Sequence, residues 1–159
     1  MNSRSEVILV DADLTTVAAA IATNEVISQS IELAHVTAQK GSSCIIQSIT
    51  LNSDDAETPA MDLIFTQVST AITDAASEAI GNSVADLDVT GASVLGVVSL
   101  SNYANHVDFV TATKLNVGLV VKSAITTTSI YVHAVNRSGG NFTPTAVDDL
   151  HLRVGFIRS

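Results

Sequence analysis

Residues 149–157 read DLHLRVGFI, and their alternation decides the fold class. Leu150, Leu152, Val154 and Phe156 point one way, and His151, Arg153, Gly155 and Ile157 point the other. Period two over so many positions is the mark of a strand with one packed face and one solvated or partner-facing side. Just upstream, residues 126–137 read TTTSIYVHAVNR. There Ile130, Val132 and Ala134 alternate with Tyr131, His133 and Val135, so both faces are fairly apolar. Such a strand belongs in the middle of a sheet or at an interface.

The same pattern recurs outward along the chain. Residues 61–67 set Met61, Leu63 and Phe65 against Asp62, Ile64 and Thr66. Further strands are expected at 6–10, 31–36, 44–51, 95–100, 107–110 and 118–122. Turn-forming runs such as Asn52-Ser53-Asp54-Asp55 and Ser138-Gly139-Gly140-Asn141 separate them. Short strands with frequent turns point to an all-β fold, an antiparallel β-sandwich of jelly-roll type, rather than to βαβ units. Two stretches are ambiguous. Residues 14–22 alternate Thr15, Val17, Ala19 and Ile21, which favours a strand, although Asp13 is placed to start a helix. Residues 73–80 are Ala-rich, with Asp74 as a candidate cap, and read as a short helix or an irregular loop.

Composition narrows the function. A chain of 159 residues suits one domain and buries enough surface to fold without disulfide or metal. Charged residues are only 14%, below the usual share of about 25%, while hydrophobic residues reach 47%. Part of the exterior is therefore expected to meet other subunits. Trp is absent and aromatics are 4%, which leaves little to wall a nucleotide or drug-like pocket. Net charge is −9, and Arg4, Lys40, Lys114, Lys122, Arg137, Arg153 and Arg158 are scattered. Phosphate backbones need clustered cations, so neither nucleic acid nor an anionic membrane is an expected partner. The apolar run in MNSRSEVILV is too short for a signal-peptide core or a membrane span. Cys44 stands alone and reads as a small buried hydrophobe in a strand, with Lys40 the nearest base in sequence. The Asn136-Arg137-Ser138 and Asn141-Phe142-Thr143 sequons read as polar turns.

No sequence signature of catalysis emerges. The histidines are His35, His106, His133 and His151, and no nucleophile elbow accompanies them. His133 and His151 would approach each other only on neighbouring strands, and zinc wants three or four such ligands; surface histidines are the expectation. Asp54-Asp55 with Glu57, Asp86 with Asp88, and Asp148-Asp149 fall short of a calcium loop and read as solvated turns. There is no P-loop, dinucleotide fingerprint or paired-cysteine motif. The expectation is a protein that is not an enzyme, with no catalytic residue, cofactor or metal. The strongest rival site would gather His106, Asp108 and Lys114. A host-glycan-binding or tail-associated module would have Tyr103 and Phe142 as its loop aromatics.

Several strings occur in a fixed order: CIIQSITLNSDD, MDLIFTQ, VLGVVSL with VDF, ATKLNVGLVVK, SIYVHAVNRSG and DLHLRVGFIRS. In this the chain resembles a family of small tailed-bacteriophage virion proteins, described as capsid decoration or cement proteins, over residues 24–158. The resemblance implies a jelly-roll-like β-sandwich at residues 24–159, with residues 1–23 an arm or a first strand. It further implies a homotrimer bound to the major capsid protein on the capsid exterior of the virion, made in the host bacterial cytoplasm.

Overall fold

A computed structural model describes residues 5–54, 59–73, 80–81, 88–89 and 93–158. The chain forms β1 (Glu6–Leu14), β2 (Val26–Leu33), β3 (Ser43–Ser53), β4 (Met61–Thr66), β5 (Ile72–Thr73), β6 (Asp88–Val89), β7 (Val94–Leu100), β8 (Ala104–His106), β9 (Phe109–Lys122), β10 (Ile130–Asn136) and β11 (Leu150–Arg158). One sheet runs β1-β11-β3-β9-β8 and the other β2-β10-β4-β7, while β5 and β6 pair only with each other. All pairings within the two large sheets are antiparallel. The wiring is that of a jelly roll. The chain alternates between sheets from β1 to β4, makes its turn through β7, and alternates back from β9 to β11, so that first and last strands are neighbours.

The inward rows are aliphatic. Ile46, Ile49, Leu51, Leu152, Val154 and Phe156 of one sheet meet Leu63, Phe65, Ile130, Val132 and Ala134 of the other, all at most 1% exposed. As expected, Leu150, Leu152, Val154 and Phe156 are the packed face of the last strand. The strand with two apolar faces, β10, is central in its sheet. Gly96 of β7 lets the sheets close up, because a Cβ there would lie 2.7 Å from the side chain of Leu119 on β9.

One irregularity explains a sequence expectation that failed. The predicted strands at 107–110 and 118–122 are not separate: Val107 and Asp108 form the turn after β8, and residues 109–122 are one long strand. Its pairing with β3 jumps from Ile46↔Leu119 to Ser48↔Leu115. Asn116 (φ 55°) and Gly118 (φ 69°) take left-handed backbone at this bulge. Buried positions change parity across it, from Val110 and Ala112 to Val121 on β9, and from Cys44 and Ile46 to Ile49 and Leu51 on β3.

Residues 15–22 are neither strand nor helix, contrary to the expected strand over 14–22. Their backbone groups bond to loops instead: Thr16 N donates to Val147 O, and Ile21 and Phe142 exchange two hydrogen bonds. Thr16 rather than Thr15 is buried, so the alternation is broken. Residues 6–14 form a strand at the margin of the five-stranded sheet. Of the segment 73–80, residues 74–79 lie outside the described residues.

Polar hubs tie the loops at each end. Asn136, fully buried, donates to Ile21 O and Gly140 O and accepts from the N–H and hydroxyl of Ser138. At the other end the hydroxyls of Thr37 and Ser123 lie 3.0 Å apart, both nearly solvent-free.

Candidate functional site

The two outer faces of the sandwich differ. On the four-stranded sheet, Thr66, His133 and Val135 point outward yet are no more than 3% exposed, and the turn at Ser69–Ala71 lies against β2. The outer face of the five-stranded sheet is open, and strand register orders it into rows. Val7, Ile157, Ile45 and Val120 form one row, and Leu9, Gly155, Ser48 and Leu115 the next. Val7, Leu9, Leu115 and Val120 are 62–69% exposed. Beside Ile45, Val120 and Ile157 the surface dips into a shallow concavity of about 250 Å³. This is an apolar half-face left in water, which marks an interaction surface more often than chance.

The other half of the same face is polar. Asp11, Arg153, Thr50 and Thr113 make the third row, and Asp13, His151, Asn52 and Thr111 the fourth. Arg153 donates to both Asp11 oxygens at 2.5 and 3.2 Å. His151 Nδ1 lies 2.7 Å from Asp13, and its Nε2 lies 3.3 Å from Asp54. At the opposite end of the ladder, next to the Val7–Ile157 row and with the opposite strand parity, Arg158 Nε donates to Glu6 at 2.9 Å. The acids of β1, Glu6, Asp11 and Asp13, thus stand directly opposite the bases of β11, Arg158, Arg153 and His151. The hydrogen bond from Arg153 holds the Asp11 carboxyl below its ordinary value. The hydrogen bond to Asp13, with help from Asp54, raises the His151 imidazole above its own.

This arrangement ties β1 to β11. No nucleophilic side chain is hydrogen-bonded to His151 among the described contacts. Among the described residues no three His, Cys, Asp or Glu side chains converge as a metal would require.

The residues singled out from sequence are dispersed. His133 sits on β10 and His151 on β11, in different sheets, and both side chains point outward, so the rings face away from each other. His133 is not the surface histidine expected. It is 3% exposed, its Nε2 lies 3.2 Å from the Thr66 hydroxyl, and burial pushes its pKa down to about 4. Thr66 spends its proton on Val68 O, so Nε2 carries the hydrogen between ring and hydroxyl. His106 stacks on Phe109 with ring centroids 4.5 Å apart, and Asp108 sits in the turn between them. Lys114 reaches instead to Ser99 O at 3.2 Å, beside a hollow of about 160 Å³ lined by neither His106 nor Asp108.

Phe142 is not a loop aromatic open to a ligand: it is 1% exposed and belongs to the core. Tyr103 is partly buried, donates to Pro59 O, and has its phenol pKa pushed up by burial. Cys44 is the buried strand thiol expected, 3% exposed, with burial raising its pKa to about 11. Asp149 is not part of a solvated turn. It is 7% exposed and accepts from the Thr145 hydroxyl and the Ala146 N–H. Asp54 joins the His151 cluster, while Asp55, Glu57, Asp74 and Asp86 lie outside the described residues.

No protein-family model, no curated protein and no solved structure matches this chain.

Proposed function

We propose that this chain is a non-enzymatic structural protein of a tailed-phage particle, a homotrimer that decorates and cements the outer capsid surface through non-covalent contacts with the major capsid protein. The observation that carries the reading is the open apolar half-face, with Val7, Leu9, Leu115 and Val120 in water on a jelly-roll body. Cementing needs repeated contact area rather than chemistry, and a lattice multiplies each modest contact. The resemblance to decoration proteins and the scarcity of charge, 14% of residues, support the same reading.

The test mixes purified protein with assembled shells and, separately, with disassembled capsid subunits. Binding only to shells, saturating at a ratio set by the lattice, is the expected result. Leu115→Lys with Val120→Lys is expected to weaken that binding at least tenfold. Equal binding to free subunits, or full binding by the double variant, refutes the proposal.

A further inference from the structure

We propose that β1 is an association edge, and that two copies of this chain pair their β1 strands antiparallel across a two-fold axis, continuing one five-stranded sheet into the other. The contact goes beyond the proposed capsid contact: it runs through the strand edge, shares Val7 and Leu9 with the apolar half-face, and in the proposed homotrimer would pair two trimers.

The first observation is the edge itself. β1 pairs with β11 over nine consecutive positions without a register break. Among the described residues no strand pairs with its other side. Alternate backbone N–H and C=O groups of an antiparallel margin strand point away from its single neighbour. Natural sheets guard such margins with Lys, Pro, a bulge or a very short strand. The sequence EVILVDADL contains no Lys, Pro or Gly and is nine residues long, and its charges, Glu6, Asp11 and Asp13, are each matched to a base of β11. The opposite margin of the same sheet is guarded. β8 covers only residues 109–111 of β9, and beyond it β9 carries Lys114, Lys122 and left-handed backbone at Asn116 and Gly118.

The second observation is charge, which sets the direction in which a second copy fits the edge. A parallel copy would set Glu6, Asp11 and Asp13 beside their own duplicates, and like charges opposite each other oppose pairing. An antiparallel copy centred on Ile8 sets Val7 opposite Leu9 of the second copy, Glu6 opposite Val10, and Asp11 opposite Ser5. The uncharged stretch Val7-Ile8-Leu9 then meets itself, and Val10 meets Glu6. The acids of β1 are already matched to β11 within each copy. Such a contact is isologous and closes at two chains. It leaves Ile45, Leu115 and Val120 outward and joins the two apolar half-faces into one surface.

Each copy carries a net charge of −9, so long-range repulsion works against the contact. Salt screens repulsion and leaves apolar burial intact. The contact should therefore tighten as ionic strength rises, opposite to an interface built on ion pairs.

Sedimentation equilibrium of the full chain tests this, at low and high salt, against Val7→Lys with Leu9→Lys. Both side chains are more than 60% exposed, so circular dichroism and melting should show the variant folded. The wild-type chain is expected to have twice the mass of the variant, with the doubling favoured by salt. In a second arm, Val7→Cys and Leu9→Cys chains are mixed and oxidised, the native Cys44 being buried. The mixed pair should cross-link more than either chain alone. Equal masses for wild type and variant at every concentration, a doubling that survives Val7→Lys with Leu9→Lys, or no mixed cross-link would overturn the proposal. So would a doubling abolished by Val120→Lys alone, which would place the contact on the face rather than the edge.

Discussion

Asp13 and His151 face each other across the β1–β11 ladder, carboxylate oxygen to ring nitrogen at 2.7 Å. The pair makes the first strand's attachment pH-dependent. The His151 pKa is raised above 6.5 by Asp13 first and Asp54 second. Its stabilisation is thus fully present below pH 6.5 and is lost as pH rises through the elevated value. The His151 side chain is 41% exposed, so solvent screening limits the effect to at most about 1 kcal/mol. An NMR titration should place the His151 midpoint above 6.5, and Asp13→Asn should lower it. An unchanged midpoint in that variant would mean that the crossing pair is idle in solution.

His133 acts in the opposite sense. Burial lowers its pKa from 6.5 to about 4, so the unfolded chain binds the proton more readily. Stability then falls as pH drops below 6.5, by roughly 3 kcal/mol once pH 4 is reached. His133→Gln keeps an N–H donor near Thr66 and cannot titrate in this range. Urea unfolding from pH 7 to pH 4 should show a shallower loss for the variant; parallel curves would assign the acid sensitivity to other groups.

Gly155 is needed for space. It lies between Leu9 and Ser48 in a row across the sheet, and a Cβ there would collide with Ser48 Oγ. Gly155→Ala should cost about 1 kcal/mol, because the Ser48 hydroxyl must rotate out of the way. Ser48→Gly in the same chain should recover most of that, since the two positions share one gap. Additive losses in a double-mutant cycle would contradict the collision.

Asn136 anchors the Ile21 loop and the 138–140 turn through four hydrogen bonds while fully buried. Asn136→Ala removes four buried hydrogen bonds and takes the acceptor from Ser138 N–H, while Ile21 O keeps Phe142 N–H and Gly140 O keeps the Thr23 and Ser138 hydroxyls, so a loss of about 1–3 kcal/mol is expected. Asn136→Asp should be worse, because a carboxylate oxygen would then face those carbonyls. Chemical denaturation with both variants checks the order.

The fold class was legible because inward positions obey period two wherever a strand is regular. Leu150 to Phe156 and Met61 to Phe65 are such runs, and they are packed as read. Misreading began where local geometry departs from the period. The bulge at Asn116 and Gly118 hid one long strand behind two short ones. Residues 15–22 alternate in composition, but loop partners claim their backbone groups. Placement of single side chains was less accessible, since it depends on which strands become neighbours. Phe142 and Asp149 look like loop residues in one dimension and are buried by long-range contacts in three. The pairing of β1 with β11 did leave a trace. Acids at 6, 11 and 13 repeat, in reverse, the spacing of bases at 151, 153 and 158. That signal becomes readable only once antiparallel neighbours are assumed.

Cys44, sealed on β3 between Val121 and Arg158, gives the protein a built-in clock. With no second thiol in the chain, a sulfhydryl dye has a single place to react, and it can do so only when the strands on either side part. Labelling speed therefore counts openings of the sheet around β3, without any engineered tag.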